Sequence, residues 1–168
     1  VGQVVQLGAK LRARLDKIKY KVALMSGKGG VGKSSITANI ASCLAERGNK
    51  VGILDADLNG PSIGHLLGVG NDVQLEMKDD GLEPGIGHQG IRIMSMDMLV
   101  KTADTPVMWT EEADATAVWV STMESTAIRE LLADTNWGEL DYLLIDMPPG
   151  SDRIDNIRSL IPELAGVV

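Results

Sequence analysis

Between residues 21 and 47 the chain changes character twice in quick succession, and no other stretch restricts its fold as strongly. Lys21 to Ser26 (KVALMS) is a short apolar run that enters the octet Gly27-Lys28-Gly29-Gly30-Val31-Gly32-Lys33-Ser34. Ser34 to Arg47 then carries helical periodicity through Ile36, Ile40, Leu44 and the alanines. The octet satisfies G-x-x-x-x-G-K-[ST] in the strand, loop and helix context that gives this pattern its physical meaning. Glycines let backbone N–H groups curl around anionic oxygens, the following helix N-terminus adds positive potential, and Lys33 reaches the outer phosphates. Ser34 supplies a hydroxyl for Mg²⁺. The stretch therefore implies a binding site for ATP with Mg²⁺, formed by Gly27, Lys28, Gly29, Gly30, Val31, Gly32, Lys33, Ser34 and Ser35.

The rest of the chain follows an alternating plan. Val4, Leu7, Leu11, Leu15 and Ile18 recur at spacings of three and four with Lys10, Arg12, Arg14 and Lys17 between them, which predicts an amphipathic helix over 4–18 docked on its own domain. Gly48-Asn49 stops the helix after the octet, and Val51 to Leu54 reads as a second buried strand. Residues 58–90 are rich in Gly, Asp and Pro and read as loops with short strands at most. Further strands are expected at 91–96 and 140–145, helices at 121–133 and about 152–160, and an apolar strand at 165–168. Helices alternating with buried apolar strands imply an α/β fold, a mostly parallel sheet with helices on both faces. We divide the chain into an N-terminal helix (1–18) and a P-loop nucleotide-binding domain (19–168).

A metal-assisted phosphate site needs a carboxylate, and Asp146 is placed for it at the C-terminal tip of the apolar strand Leu140 to Ile145. Asp55 and Asp57 end the second strand in the same manner. One of them orients the attacking water or the hydrated metal, and the residues alone leave open which. Asp57 is carried forward as the catalytic candidate, and Asp55 joins Ser34 and Asp146 as a metal candidate.

The net charge of −7 speaks against a nucleic-acid surface, which needs clustered Lys and Arg. No apolar run is long enough to span a bilayer and no signal-peptide pattern is visible, so no membrane partner and a cytoplasmic location are expected. The sole cysteine, Cys43, lies beside Ile40 and Leu44 and reads as a small core hydrophobe. His65 and His88 lack ligand-spaced partners and read as solvated loop residues. Trp109, Trp119 and Trp137 read as packing residues, and Glu111, Glu112 and Asp114 as an exposed acidic face.

The second lysine of the loop, Lys28, followed by Gly29-Gly30, resembles the deviant Walker A motif of the family that includes MinD, ParA and the nitrogenase iron protein. Asp55-Ala56-Asp57 with Gly60-Pro61-Ser62-Ile63, Trp137 to Tyr142, and Ile145-Asp146-Met147-Pro148-Pro149-Gly150 together resemble the Mrp/ApbC branch of ATP-binding iron–sulfur cluster carriers. The likeness runs from about Lys19 to the end. It implies a homodimeric, slow, dimer-dependent ATPase in which Lys33 contacts phosphates and Lys28 reaches the nucleotide of the other subunit. It also implies that the Asp57 region is switch I, that Asp146 to Gly150 is switch II, and that a [4Fe–4S] cluster passes to iron–sulfur apo-proteins or assembly factors. Two departures stand out. Ser151-Asp152-Arg153 follows Pro148-Pro149-Gly150 where the family continues Thr-Gly-Asp. The family's Cys-x-x-Cys pair and adenine-gripping segment have no match here, so the chain is expected to represent the first two-thirds of a family member. The alternative is a MinD- or ParA-like positioning ATPase, which needs a membrane-binding tail or a basic DNA-binding surface.

Overall fold

The computed structural model describes residues 2–57, 60–69, 76–78, 80–95, 98, 117–150 and 153–168, with side chains described throughout except at 2–5 and 117–124. Trp109, Glu111, Glu112, Asp114 and the Trp119 side chain lie outside the described residues.

In chain order the elements are α1 (Gly2–Leu15), β1 (Ile18–Leu24), α2 (Lys33–Glu46), β2 (Val51–Asp55), α3 (Ile63–Leu66), β3 (Met77–Lys78), β4 (Gly81–Leu82) and β5 (Gly85–Ile86). A 3₁₀ turn at His88–Gly90 precedes β6 (Arg92–Ser95), α4 (Ala117–Asp134), β7 (Leu140–Asp146), α5 (Ile154–Leu160) and β8 (Gly166–Val167). Among the described residues one sheet runs in the order β5-β6-β2-β7-β1-β8, and β3 and β4 form a separate antiparallel pair. The β1, β2, β6, β7 and β8 pairings are parallel, while β5 meets β6 antiparallel. Parallel strands joined by helical crossovers are covered on both faces, which is why β2 is buried at every position and Leu143, Leu144 and Ile145 of β7 are buried in succession.

The strand order sets up the site. From β1 the chain crosses β7 to reach β2, and from β7 it crosses β1 to reach β8, so the two crossovers leave in opposite directions. Such a reversal opens a crevice above the C-terminal strand ends. Leu24, Asp146 and Asp55 are register partners across β1, β7 and β2, so the three strands stop level with one another at that edge.

Helix α1 packs against α4, burying Leu11 and Leu15. It stops at Leu15, short of the expected end at Ile18, because Ile18 already opens β1 opposite Leu140. The buried Lys21 ammonium donates to the carbonyls of Leu15 (3.3 Å) and Ile18 (3.0 Å), a cation placed where the helix end exposes unpaired acceptors. Trp137 is fully buried as a packing residue, its indole N–H bonded to Leu132 O at 3.2 Å. Cys43 corrects its expectation: it is exposed. The inward stripe of α2 is Thr37, Ala38 and Ala41, and Cys43 lies two residues (about 200°) beyond Ala41, on the outer face. His65 and His88 are both exposed, His65 on α3 and His88 in the 3₁₀ turn.

Candidate nucleotide site

The loop between β1 and α2 has the backbone its glycines were expected to permit. Gly30 (φ 73°) and Gly32 (φ 90°) occupy the left-handed region that side chains disfavour, and Gly32 directly precedes the first residue of α2. A Cβ placed on Gly27, Gly29, Gly30 or Gly32 would meet nothing within 4 Å, so the loop curls around open space. That space belongs to a cavity of about 420 Å³ whose far side carries Asp57, Gly60, Ser62, His65, Leu66 and Pro149. The loop is braced from below: Ser26 Oγ donates to Lys28 O (3.0 Å), Gly150 N to Ser26 O (2.9 Å) and Met147 N to Leu24 O (3.0 Å). The segment after β7 is thereby tied to the root of the loop.

Asp146 lies behind the cavity wall that Lys33 and Ser34 form. It is fully buried, and its carboxylate is surrounded by donors from one turn of α2. Ser34 Oγ donates to Oδ2 at 2.6 Å, Thr37 Oγ1 lies 2.8 Å from Oδ1, and Lys33 Nζ lies 2.8 Å from the same Oδ1. Burying a carboxylate is costly unless it is paired and hydrogen-bonded, and here it is both. The lysine contact is an ion pair rather than an aligned hydrogen bond, since the buried Nζ has no partner in hydrogen-bonding geometry. An ammonium has three donors, so capacity remains for a further acceptor of the kind a phosphate oxygen supplies.

Asp55 sits beside Asp146 on the neighbouring strand but turns the other way. Its Oδ2 accepts from Ser62 N (2.9 Å) and Ile63 N (3.0 Å), and its Oδ1 from Asp57 N (3.3 Å). Burial raises its pKa from the ordinary 3.8 to about 6; the three backbone donors pull it down and the Asp146 charge adds to the rise. Asp55 therefore anchors the segment that carries Asp57, whose own Oδ1 accepts from Gly60 N at 3.2 Å. Asp57 lines the cavity together with the loop, while Lys28 is exposed and is not among the lining residues.

The structure thus brings Gly29 to Ser35, Asp57 and, through Lys33 and Ser34, Asp146 to one cavity. Asp55 is adjacent, with its oxygens committed to backbone. Thr37 was not foreseen, although a hydroxyl one helical turn after Lys33 on the inward face was the available signal. Gly60 and Ser62 of the cavity belong to the Gly-Pro-Ser-Ile motif, whereas the cavity positions of His65 and Leu66 carried no signal. As a fit test for a hard cation, Ser34 and Asp146 offer oxygen donors, and Mg²⁺ usually keeps several waters besides one or two carboxylates and phosphates. Among the described residues no three His, Cys, Asp or Glu side chains gather into a larger metal cluster. The residues present suit Mg²⁺ carried in with a nucleotide.

Comparison with known proteins identifies a family. The family model described as ParA: NUBPL iron-transfer P-loop NTPase matches residues 17–168. The chain is 44% identical over 167 residues to an iron-sulfur cluster carrier protein of Saccharolobus solfataricus, covering 99% of this chain and 53% of the relative. It is likewise 44% identical to one from Methanococcus maripaludis, covering 97% and 53%. Among solved structures, a nucleotide-binding protein from Archaeoglobus fulgidus in complex with ADP superposes with a TM-score of 0.73 at 41% identity, covering 91% of this chain and 54% of that one. The chain spans about half the length of the curated relatives it matches, less than the two-thirds expected. Its open glycine loop, its level strand ends and the match over residues 17–168 lead to one conclusion: the chain belongs to the family of ParA/NUBPL-type iron-transfer P-loop NTPases.

Proposed function

We propose that the chain binds ATP with Mg²⁺, hydrolyses it slowly as a homodimer, and serves iron–sulfur cluster carriage in the cytoplasm, with the cluster as cargo. The observation that carries this reading is the convergence of Lys33, Ser34 and Thr37 on the buried Asp146 beneath an open glycine cradle. Lys33 would exchange its ion pair for the outer phosphates, and Ser34 and Asp146 would hold the cation, the serine through its hydroxyl oxygen and the aspartate through its carboxylate. When bound, Mg²⁺ would supply positive charge against the charge that develops on the phosphates during transfer. Asp57 faces the loop across the cavity and orients the attacking water, while Asp55 keeps that segment in place through three backbone bonds. Lys28 projects from the loop and supplies a cation to the nucleotide of the second subunit.

The relatives named as iron–sulfur cluster carriers support the cargo assignment over a positioning ATPase. With Cys43 as its one cysteine, the chain does not by itself offer the four ligands that a [4Fe–4S] cluster generally takes. The receivers of the cargo are iron–sulfur apo-proteins or assembly factors. No described helix is long and apolar enough to cross a membrane.

Phosphate release from ATP tests the reading. The wild-type chain is expected to release phosphate only with Mg²⁺, and Asp146→Asn to lower the rate by at least about tenfold while retaining nucleotide binding. Turnover indifferent to both would overturn the metal-site assignment.

A further inference from the structure

Thr37 is fully buried one turn into α2, and its hydroxyl faces two acceptors at once: Lys33 O at 3.0 Å and Asp146 Oδ1 at 2.8 Å. A hydroxyl has one proton to give. Lys33 O is also the regular i−4 acceptor for the Thr37 backbone N–H, whereas the carboxylate is charged and closer, so the proton belongs to Asp146.

The other two donors on that carboxylate have competing duties. Lys33 and Ser34 both line the nucleotide cavity, the lysine with an ammonium that has donors to spare beyond its Asp146 ion pair and the serine with a hydroxyl suited to a cation. Thr37 is buried behind these two residues, and its hydroxyl contacts Lys33 O and Asp146 rather than the cavity. Its β-branched side chain has few rotamers in a helix, and one of those favoured for Thr directs Oγ1 toward the preceding turn. From this geometry we infer that Thr37 is a positioning residue: it fixes the Asp146 carboxylate of β7 to the helix that carries the phosphate loop once Lys33 and Ser34 have turned to their ligands. The inference rests on the Mg²⁺-nucleotide reading above. An octahedral cation tolerates little misplacement of its oxygens, so releasing Asp146 from this anchor weakens metal binding more than nucleotide binding.

The test uses Mn²⁺ as a paramagnetic stand-in for Mg²⁺, with free Mn²⁺ measured by electron paramagnetic resonance in the presence of ADP, and ADP affinity measured separately in EDTA. Thr37→Val preserves shape and removes the hydroxyl; it is expected to weaken Mn²⁺ binding about ten- to hundredfold and to leave metal-free ADP affinity unchanged. Thr37→Ser is expected to restore Mn²⁺ binding. Thr37→Ala makes the same comparison if Thr37→Val does not fold. Wild-type Mn²⁺ affinity in the hydroxyl-free variant overturns the inference, and so does an equal loss of ADP affinity with and without metal, which marks a merely structural residue. A wild-type chain that binds neither ADP nor Mn²⁺ removes the nucleotide reading itself, an outcome distinct from both.

Discussion

At the scale of single residues, two buried carboxylates end neighbouring strands side by side, and each is stabilised differently. Asp146 is surrounded by side-chain donors from α2, whereas Asp55 depends on backbone N–H groups and is held at a pKa of about 6 against an ordinary 3.8. The sign of the consequence follows. The folded state binds the Asp55 proton more tightly than the unfolded chain, so this residue favours folding most below its unfolded pKa, and that contribution disappears as pH rises through about 6. In EDTA, the stability of wild type relative to Asp55→Asn is expected to fall by about 2 kcal/mol between roughly pH 4.5 and pH 7. Urea unfolding at the two pH values checks this; parallel pH trends in the two proteins contradict it. These residues also mark where sequence reading stops. The octet was legible because its chemistry is local: glycine conformations, a helix N-terminus and a lysine lie within eight consecutive positions. The inward turn of Thr37 and the commitment of Asp55 to Ser62 and Ile63 were not, because both depend on which strand lies next to which.

At the scale of elements, the buried strands were legible because parallel strands covered on both faces are continuous apolar runs, as in β2 and β7. Two-residue strands such as β3, β4 and β5 offer no period to read, and the stretch from Gly60 onward holds α3, only four residues long. Ile18 misled for a physical reason: its spacing from Leu11 and Leu15 continues a helical stripe, yet a strand buries it equally well. In α2 the apolar Ile36 is 52% exposed while Thr37 is buried, so small residues, rather than large ones, mark the face against the sheet. Docking of α1 onto α4 rests on apolar contact, since its Lys10–Asp134 pair (2.6 Å) is about 40% exposed on both sides and such pairs contribute little. Leu11→Ala is therefore expected to lower global stability by about 2–4 kcal/mol, and Lys10→Ala by less than about 1 kcal/mol. Denaturant titration with matched m-values checks the ranking, and equal losses would contradict it.

At the scale of the whole molecule, the level ends of β1, β7 and β2 and the opposed crossovers place the loop, the Asp146 carboxylate and the Asp57 segment around one crevice. Lys28 is exposed, and among the described residues no ion pair engages it. A cation that acts across a subunit interface makes hydrolysis depend on assembly, so Lys28→Ala is expected to bind ATP as wild type does and to lose turnover, with wild-type activity rising more than linearly with protein concentration. Strictly linear activity that ignores Lys28 would leave a monomeric enzyme. The account as a whole stands on the phosphate loop, and isothermal titration with ATP and Mg²⁺ of the wild-type chain and of Lys33→Ala tests it most directly. The account predicts saturable binding to wild type and a loss of about a hundredfold or more in the variant, because the loop keeps its amides but loses the side-chain charge aimed at the phosphates. Undiminished affinity in Lys33→Ala would contradict it.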